Sequence, residues 1–377
     1  MYSKKNIVLL IAVFYLFIIS CNQSKIIHNS SKSTLFRYAQ NIRSSKNRDT
    51  VIVYISQGNK TDSITYILCK NTSPKKNDIT RKIFYVPIPV THVAALSTTE
   101  IACIDAINQT ESIIATSDIF RISNPTIQKK FKEGTILDLG TSMNENREKI
   151  LIAKPDVVIK TFFSPQDIQK DAILLQSGIP VIYINNWLEK SPLGRTEWIQ
   201  FIGMLYGKEH EADSVFSVIE TQYRELSNKV KNLQNKPKVL AGDMIKDVWY
   251  LPGGASYMAQ FIKDAGGDYI YANNTITGSS AVNIEQLIGY AKQADVWIGA
   301  DCMTKQELLK KNNSYTYIPV CNSKRCYNYH KRRTPQGGND YWESGTIRAD
   351  YILADLIHIF HPTILPEYTL VYFKNIE

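Results

Sequence analysis

The sequence has few of the features that mark a membrane-spanning, nucleic-acid-binding or catalytic chain. After its first 20 residues, no stretch of the 377-residue chain is apolar for long enough to cross a bilayer. We find no nucleic-acid-binding motif, and Gly253-Gly254 lacks the Lys-Ser/Thr that completes a phosphate-binding loop. No nucleophile is paired with a base in a recognisable pattern. These absences argue against an enzyme and against a nucleic acid as a partner.

Cysteines are also scarce, and their spacing does not indicate a metal centre. Cys321 and Cys326 form a Cys-x4-Cys pair near His330, but no second pair exists to complete a site. In an oxidising compartment these two cysteines could instead form a disulfide across a loop. We therefore predict no structural metal site and no resident cofactor.

The start of the chain is typical of a secretory signal. Lys4 and Lys5 precede an apolar run over residues 7–19, which is too short to span a bilayer. The run ends Ile-Ile-Ser-Cys, and a small residue before a cysteine resembles the lipobox of bacterial lipoproteins. That resemblance implies a signal peptide over residues 1–20 and a lipidated Cys21. The alternative is an ordinary signal peptide or a short membrane anchor.

The composition after the signal peptide indicates a tether followed by a globular part. Residues 21–49 are rich in Ser, Asn and Lys, which predicts a flexible lipidated tether. The 357 residues after the signal (377 − 20) suffice for two domains, and 44% of the sequence is hydrophobic. A formal net charge of +9 would suit an anionic ligand or an anionic membrane surface.

The remaining chain predicts an α/β fold of two Rossmann-like lobes. Residues 50–86 contain three β-type runs, VIVYIS, SITYILC and KIFYVPI, which predict a small β-meander. Residues 87–194 and 237–377 each alternate strands with helices. Such alternation predicts a parallel sheet with helices on both faces.

Between the lobes lies the longest helical pattern of the chain, over residues 195–236. Apolar residues recur there at i, i+3, i+4 and i+7, which indicates a helix with one buried face. Gly207 is expected to divide it into a short helix and a long one over residues 209–233. We interpret the long helix as a rigid spacer that joins the lobes.

Several motifs resemble the class III periplasmic substrate-binding proteins, which serve ABC importers of cobalamin and iron–siderophore complexes. The matching segments are VAALSTTEIA (93–102), NENREKILIAKPDVVI (144–159), SPLGRTEW (191–198), PGGASYMAQFIKDAGG (252–267), GGNDYWESG (337–345) and ADLIHIFHP (354–362). PLGRTEW and GGNDYWESG resemble a branch found in Bacteroidetes-type lipoproteins. The resemblance covers roughly residues 86–373. It implies a monomeric, lipid-anchored protein that faces the periplasm and delivers a metal–organic complex to an ABC transporter permease with its ATPase.

The ligand is expected to lie beyond the carboxyl ends of the strands, where open α/β sheets bind ligands. The candidate ligand-binding residues are Ser97, Thr98, Phe120, Arg121, Phe163 and Trp187 in the first lobe, and Trp249, Tyr250, Arg333 and Trp342 in the second. A wider set adds Phe162, Ser279, Ser280, Asp301, Cys302, Met303, Tyr329 and Tyr341. The many aromatic rings suit a large, flat or polycyclic ligand. We expect the largest contributions from Trp187, Trp249 and Trp342.

The polar loop over residues 322–345 allows two interpretations. Its cluster of basic residues is either a solvated surface or a positive rim for an anionic siderophore, and it comprises Lys324, Arg325, His330, Lys331, Arg332 and Arg333. A corrinoid would depend more on the aromatic rings. Cys302, Met303 and His330 could also ligate a haem or corrin metal, so siderophore, corrinoid and haem stay open.

Two glutamates match positions at which the family pairs with arginines of the permease. Glu148 lies in NREKIL and Glu285 in NIEQLI, on matching helices of the two lobes. Here Arg147 precedes the first glutamate, which places a cation beside the expected docking charge. Two other function classes stay open: a haem-binding or ligand-sensing surface lipoprotein without an importer, and an enzyme or chelatase with the same two-lobe shape.

Overall fold

The computed structural model describes residues 35–45, 47–55, 62–70 and 76–376. The expected signal peptide and Cys21 lie outside these residues. Within the described part, no helix is both long and apolar enough for a membrane span.

The first sheet follows the N-terminal residues and is not a simple meander. Its strands are β1 (Ile42–Ser44), β2 (Thr50–Tyr54), β3 (Ser63–Lys70) and β4 (Ile83–Ile88), in that order. β1–β2 and β2–β3 are antiparallel, but β3 and β4 pair in parallel. The meander prediction is therefore wrong at its last pairing.

The prediction of a flexible tether up to residue 49 is also wrong for its last part. Residues 35–41, which we call the arm, are held by two buried glutamates that lie about 150 residues later. Glu197 accepts hydrogen bonds of 2.7 to 2.8 Å from the backbone N–H groups of three consecutive arm residues, Arg37, Tyr38 and Ala39. Glu189 accepts the next two N–H groups, from Gln40 and Asn41, at 2.8 and 3.0 Å.

The first lobe has the predicted parallel sheet. Its strands are β5 (Val93–Ala95), β6 (Ile113–Thr116), β7 (Leu137–Asp138), β8 (Gly140–Thr141), β9 (Asn144–Glu145), β10 (Val157–Thr161) and β11 (Val181–Ile184). The sheet order is β11-β10-β5-β6-β7, and β8 and β9 form a separate hairpin. Its helices are α1 (Thr98–Ala106), α2 (Pro125–Lys132), α3 (Arg147–Ala153), α4 (Gln166–Lys170) and α5 (Ala172–Gln176).

The connector between the lobes consists of α6 (Pro192–Thr196), α7 (Ile199–Tyr206) and α8 (Glu209–Val230). Gly207 ends α7 in the left-handed conformation (φ 65°), as its position predicted. At 1.5 Å per residue, the 22 residues of α8 span about 33 Å. Phe216 packs in the hydrophobic core of the first lobe, and Tyr223 packs in the core of the second. This single helix therefore contributes to both cores.

The second lobe combines two sheets. Its strands are β12 (Lys238–Ala241), β13 (Asp243–Ile245), β14 (Val248–Pro252), β15 (Asp268–Tyr269), β16 (Ser279–Val282), β17 (Val296–Ile298), β18 (Cys326–Asn328) and β19 (Lys374–Asn375). The main sheet has the order β15-β12-β17-β18-β19, parallel except for β19, and β13-β14-β16 form an antiparallel sheet. Its helices are α9 (Tyr257–Asp264), α10 (Ile284–Ala291), α11 (Lys305–Lys311) and α12 (Ala349–Phe360).

A second connection between the lobes comes from residues 338–347, which we call the latch segment. Ile347, at its end, is buried in the core of the first lobe. Its carbonyl accepts a 3.2 Å hydrogen bond from the hydroxyl of Thr196 in α6. The fold is thus two α/β lobes joined by one long helix, with a non-covalent attachment beside it.

Candidate ligand-binding site

Two adjoining cavities lie where the lobes face each other. The aromatic chamber, of about 420 Å³, is lined mainly by the second lobe and includes Trp187, Tyr250, Tyr257, Tyr329, Tyr341 and Trp342. The interlobe chamber, of about 610 Å³, is lined by both lobes and includes Ser97, Thr98, Asp118, Arg121, Asp301 and Arg333. Asp301, Tyr329 and Trp342 line both cavities. The two chambers therefore share part of their walls.

The chambers lie beyond the carboxyl ends of the parallel strands, as the sheet topology requires. Ser97 follows β5, Asp301 follows β17 and Tyr329 follows β18. Gly242 follows β12 with a φ of 91°, and a Cβ atom on it would lie 2.0 Å from the Tyr250 carbonyl oxygen. A glycine is needed there because β14 passes directly against the strand end.

An aromatic cluster separates the two chambers. The rings of Tyr329 and Tyr341 are stacked, with their centroids 4.8 Å apart and an interplanar angle of 20°. Trp342 stands nearly perpendicular to both, at 5.4 Å from Tyr329 and 4.8 Å from Tyr341. Trp342 is 40% exposed, so its ring is held on one side and open to the cavity on the other. Such a surface favours a flat or polycyclic ligand.

A carboxylate lies at the centre of the cleft. Asp301 accepts a 3.0 Å hydrogen bond from Nε2 of His330, and this bond lowers the pKa of the carboxyl. The backbone N–H of Asp301 donates to Asp243, whose carboxylate also binds the Tyr315 hydroxyl and the Lys311 ammonium, each at 2.6 Å. Asp243 is thus a structural group, whereas Asp301 presents negative charge to the ligand.

Two arginines reach the interlobe chamber from opposite lobes. Arg121 and Arg333 are both exposed, and neither has an ion-pair partner among the described residues. Asp118 and Asp301 line the same chamber, and Asp118 is held by a 2.9 Å hydrogen bond from the backbone N–H of Ser142. Two positive and two negative side chains therefore face this space.

The other basic residues of the late loop mostly point elsewhere. Arg325 donates to the carbonyl of Ile359 at 3.1 Å, and Lys331 donates to that of Leu370. Arg332 forms a 2.9 Å ion pair with Asp340 outside both chambers. The expected positive rim is therefore reduced, at the cleft, to Arg333.

The side chains of the ten candidate residues divide into four groups. Seven of them line one or both chambers: Ser97, Thr98, Arg121, Trp187, Tyr250, Arg333 and Trp342. Phe163 is 63% exposed and lines a neighbouring cavity of about 400 Å³ that meets the interlobe chamber at Ser97. Phe120 is 58% exposed, packs edge-on against Phe131 at 5.6 Å and lies outside both chambers.

The placement of Trp249 in the pocket is wrong. This side chain is fully buried, with its ring centroid 5.3 Å from that of Trp297 and 6.0 Å from that of Tyr315. Its indole N–H donates to the carbonyl of Ala241 at 3.1 Å. β14 alternates inward and outward side chains, so Trp249 faces the core while its neighbour Tyr250 faces the chamber. Phe162, from the wider set, is likewise buried.

Several lining residues were missed by sequence reasoning, and Asp118, Tyr257 and Met258 are examples. Asp118 lies two residues after β6, so the strand-end rule that identified Asp301 also applied to it. Tyr257 and Met258, in the first turn of α9, follow no strand and reach the aromatic chamber only because α9 packs on the main sheet. A local sequence pattern carries no signal for such a position.

Among the described residues, no group of three or more His, Cys, Asp or Glu side chains is placed to hold a metal ion. Cys302, Cys321 and Cys326 are buried free thiols in one core cluster, beside Trp249 and Trp297. Nε2 of His330 is engaged by Asp301, and its Nδ1 is enclosed without a hydrogen-bond partner. Of the three side chains named above as possible ligands of a haem or corrin metal, Cys302 is packed in the core. Nε2 of His330 is hydrogen-bonded to Asp301.

The two expected docking glutamates occupy matching positions. Glu148 and Glu285 are exposed in the first turns of α3 and α10, one in each lobe. Arg147 turns away from the surface and binds Glu145 at 2.9 Å and Asp171 at 3.1 Å. Its charge is neutralised internally, so it does not offset the charge of Glu148.

Comparison with known proteins agrees with this architecture. Residues 93–332 match the model of the periplasmic binding protein family. An uncharacterized lipoprotein of Methanocaldococcus jannaschii is 31% identical over 290 residues, which are 74% of this chain and 66% of the relative. A second uncharacterized lipoprotein of that organism is 26% identical over 323 residues, covering 82% of this chain and 78% of the relative.

Solved structures show the same fold. A periplasmic heme-binding protein from Pseudomonas aeruginosa superposes with a TM-score of 0.57 at 15% identity, covering 76% of this chain and 98% of that one. A possible iron-binding periplasmic solute-binding protein from Staphylococcus epidermidis gives 0.56 at 19% identity, covering 72% and 98%. With its two lobes, connecting helix and interlobe cleft, the chain belongs to the periplasmic binding protein family.

Proposed function

We propose that the protein captures a large metal–organic complex of the iron–siderophore or corrinoid type in the interlobe cleft and delivers it to an ABC importer. The observation that carries this proposal is the pair of adjoining chambers, of about 420 and 610 Å³, that share the exposed face of Trp342. Together they exceed what a sugar or an amino acid fills, and the aromatic lining suits a polycyclic surface.

The charges of the cleft favour a near-neutral ligand within this class. Arg121 and Arg333 are balanced by Asp118 and Asp301 in the interlobe chamber. A polyanionic catecholate complex would bring several negative charges close to Asp301. The repulsion between these like charges would weaken its binding. A corrinoid, with its amide-decorated flat ring, carries little net charge. We therefore favour a corrinoid over a polyanionic siderophore, and over a haem ligated by His330.

A titration of the mature protein tests this proposal directly. Cyanocobalamin, haemin and a ferric tris-catecholate are each added while tryptophan fluorescence and thermal stability are measured. We expect cyanocobalamin to quench the fluorescence saturably and to raise the melting temperature, and the tris-catecholate to bind most weakly. Preference for the tris-catecholate would refute the charge argument, and failure of all three complexes to bind would refute the proposed ligand class.

The membrane anchor is part of the same proposal. Its support is the Ile-Ile-Ser-Cys run that ends at Cys21, together with relatives named as lipoproteins. The four residues after the cysteine contain no acid, which favours retention on the periplasmic side. Labelling with a fatty-acid analogue should require Cys21, and equal labelling of Cys21→Ser would show that no lipid is attached there.

A further inference from the structure

The latch segment (residues 338–347) crosses from the second lobe to the first beside the chambers. A Cβ atom on Gly338 would lie 2.6 Å from the Arg121 carbonyl oxygen, so the two lobes meet there backbone to backbone. The Trp342 carbonyl accepts a 2.8 Å hydrogen bond from the Thr98 hydroxyl. Through these two contacts, the latch segment touches Arg121 and Thr98 of the first lobe, which both line the interlobe chamber.

The next residue makes the most buried of these contacts. Glu343 is 3% exposed, and its carboxylate accepts a 2.6 Å hydrogen bond from the backbone N–H of Ser123 in the first lobe. Glu343 therefore fastens the second lobe to the turn that precedes α2.

Among the described residues, no cation forms an ion pair with the carboxylate of Glu343. Asp340, from the same segment, and Asp105, from α1, face it, and both are acidic. The nearby guanidinium groups are engaged elsewhere, since Arg332 pairs with Asp340 at 2.9 Å and Arg348 pairs with Asp350 at 2.6 Å. A buried carboxyl in acidic surroundings is held more favourably in its protonated form.

We propose that Glu343 is a positioning residue that latches the two lobes together, holds Trp342 in place between the chambers, and loosens its hold when it ionises. The latch is a property of the lobes themselves and does not depend on which ligand the cleft takes.

Proton binding by Glu343 and release of the latch are thermodynamically linked. Burial raises the pKa of Glu343 from 4.5 to about 7, and release of the carboxyl from Ser123 would return the pKa to its ordinary value as water reaches the group. The latched form therefore binds the proton more tightly, and raising the pH between these values favours release of the latch. Over that range the equilibrium constant for opening increases by up to about two orders of magnitude.

Fluorescence quenching by acrylamide reports the position of Trp342. Trp198, Trp249 and Trp297 are at most 1% exposed, so in a Trp187→Phe background the quenchable emission comes from Trp342. We expect its quenching constant to rise severalfold from about pH 5 to about pH 8. Adding Glu343→Gln should keep quenching low across that range, because an uncharged amide incurs no cost of burying a charge. Glu343→Ala should give high quenching at every pH, because the backbone N–H of Ser123 loses its acceptor.

A matched control and a second measurement complete the test. Glu367→Gln removes an exposed glutamate of the same lobe and should leave the pH profile unchanged. In the protein without substitutions, hydrogen exchange of the Ser123 amide, corrected for its intrinsic rate, should accelerate over the same pH range. Identical quenching profiles with and without the Glu343→Gln substitution, or an exchange rate of the Ser123 amide that does not change with pH, would overturn the proposal. No ligand is added in either measurement, so failure here leaves the proposed function unaffected.

Discussion

The hydroxyl of Thr98, at the start of α1 in the first lobe, donates a 2.8 Å hydrogen bond to the carbonyl of Trp342 in the second. The lobes are therefore in direct contact at the edge of the cleft, in addition to their connection through α8. Since α8 packs in both hydrophobic cores, a large change in the interlobe angle would have to disturb both cores or break the hydrogen-bond ladder of the helix.

We expect the lobes to move little when ligand binds. Val218 is 53% exposed on α8, at the point where the helix passes from one core to the other. Val218→Pro should kink the helix at a cost of about 3 kcal/mol, increase the radius of gyration and lower the melting temperature, whereas Val218→Ala should leave both nearly unchanged.

Small-angle scattering of the unsubstituted protein with and without cyanocobalamin should give nearly equal radii of gyration. A large decrease on binding would show that α8 is not a rigid spacer.

The features that the sequence predicted correctly depend on local patterns. The alternation of strands and helices predicted both lobes, the helical periodicity predicted α8, and Gly207 marked the end of α7. The rule that ligands lie beyond strand ends correctly located Asp301 and Tyr329 in the cleft. Each of these inferences needed only a short window of sequence or a general property of parallel sheets.

The features that were missed depend on distant partners. Nothing near residues 35–41 indicates that Glu189 and Glu197 will accept their backbone N–H groups. The parallel pairing of β3 with β4 also requires knowledge of the sheet. Trp249 is different, because in a strand it must lie on the same face as Leu251, and both side chains are buried. There the error was to give a tryptophan near a strand end more weight than its position in the alternation.

The two tryptophans should respond differently to truncation. Trp342 is open to both chambers, so Trp342→Ala should weaken binding of cyanocobalamin by about 2 kcal/mol or more, the range of interface hot spots. Trp249→Ala should instead lower the free energy of unfolding by about 3 to 5 kcal/mol, because it leaves a large core cavity. Fluorescence titration and chemical denaturation separate the two effects. Unchanged affinity in Trp342→Ala would place the ligand elsewhere in the cleft.

Stability should decrease as the pH rises towards neutrality. Burial raises the pKa of Glu189 from 4.5 to about 7, despite hydrogen bonds from Gln40, Asn41 and Trp198. The folded protein therefore binds this proton more tightly than the unfolded chain. The free energy of unfolding should fall between those two pH values and then level off.

Thermal melts of Glu189→Gln test this assignment. The variant should show a flatter pH dependence between about pH 4.5 and 7, together with lower overall stability, since an amide cannot accept all three hydrogen bonds. Carboxyl groups with lowered pKa values, such as Asp156, titrate below this range and should not obscure the slope. Equal slopes in the two proteins would rule out Glu189 as the source.

The exposed glutamates of the two lobes should be required for delivery of the ligand but not for its capture. Glu148 and Glu285 lie in the first turns of α3 and α10, outside both chambers, and neither has an ion-pair partner among the described residues. Because α8 and the latch segment restrict the interlobe angle, the two carboxylates present a nearly fixed spacing to a pair of cations on a permease.

Charge reversal separates delivery from capture. Glu148→Lys and Glu285→Lys should each reduce importer-dependent uptake strongly, and the double variant should abolish it, while the affinity of the isolated protein for cyanocobalamin stays unchanged. Replacing a glutamate in the first turn of a helix by lysine costs at most about 1 kcal/mol through the helix dipole, so both variants should remain folded. Glu367→Lys, on an exposed site away from these helices, should import normally. Normal uptake by the double variant would mean that the permease recognises another surface of the lobes.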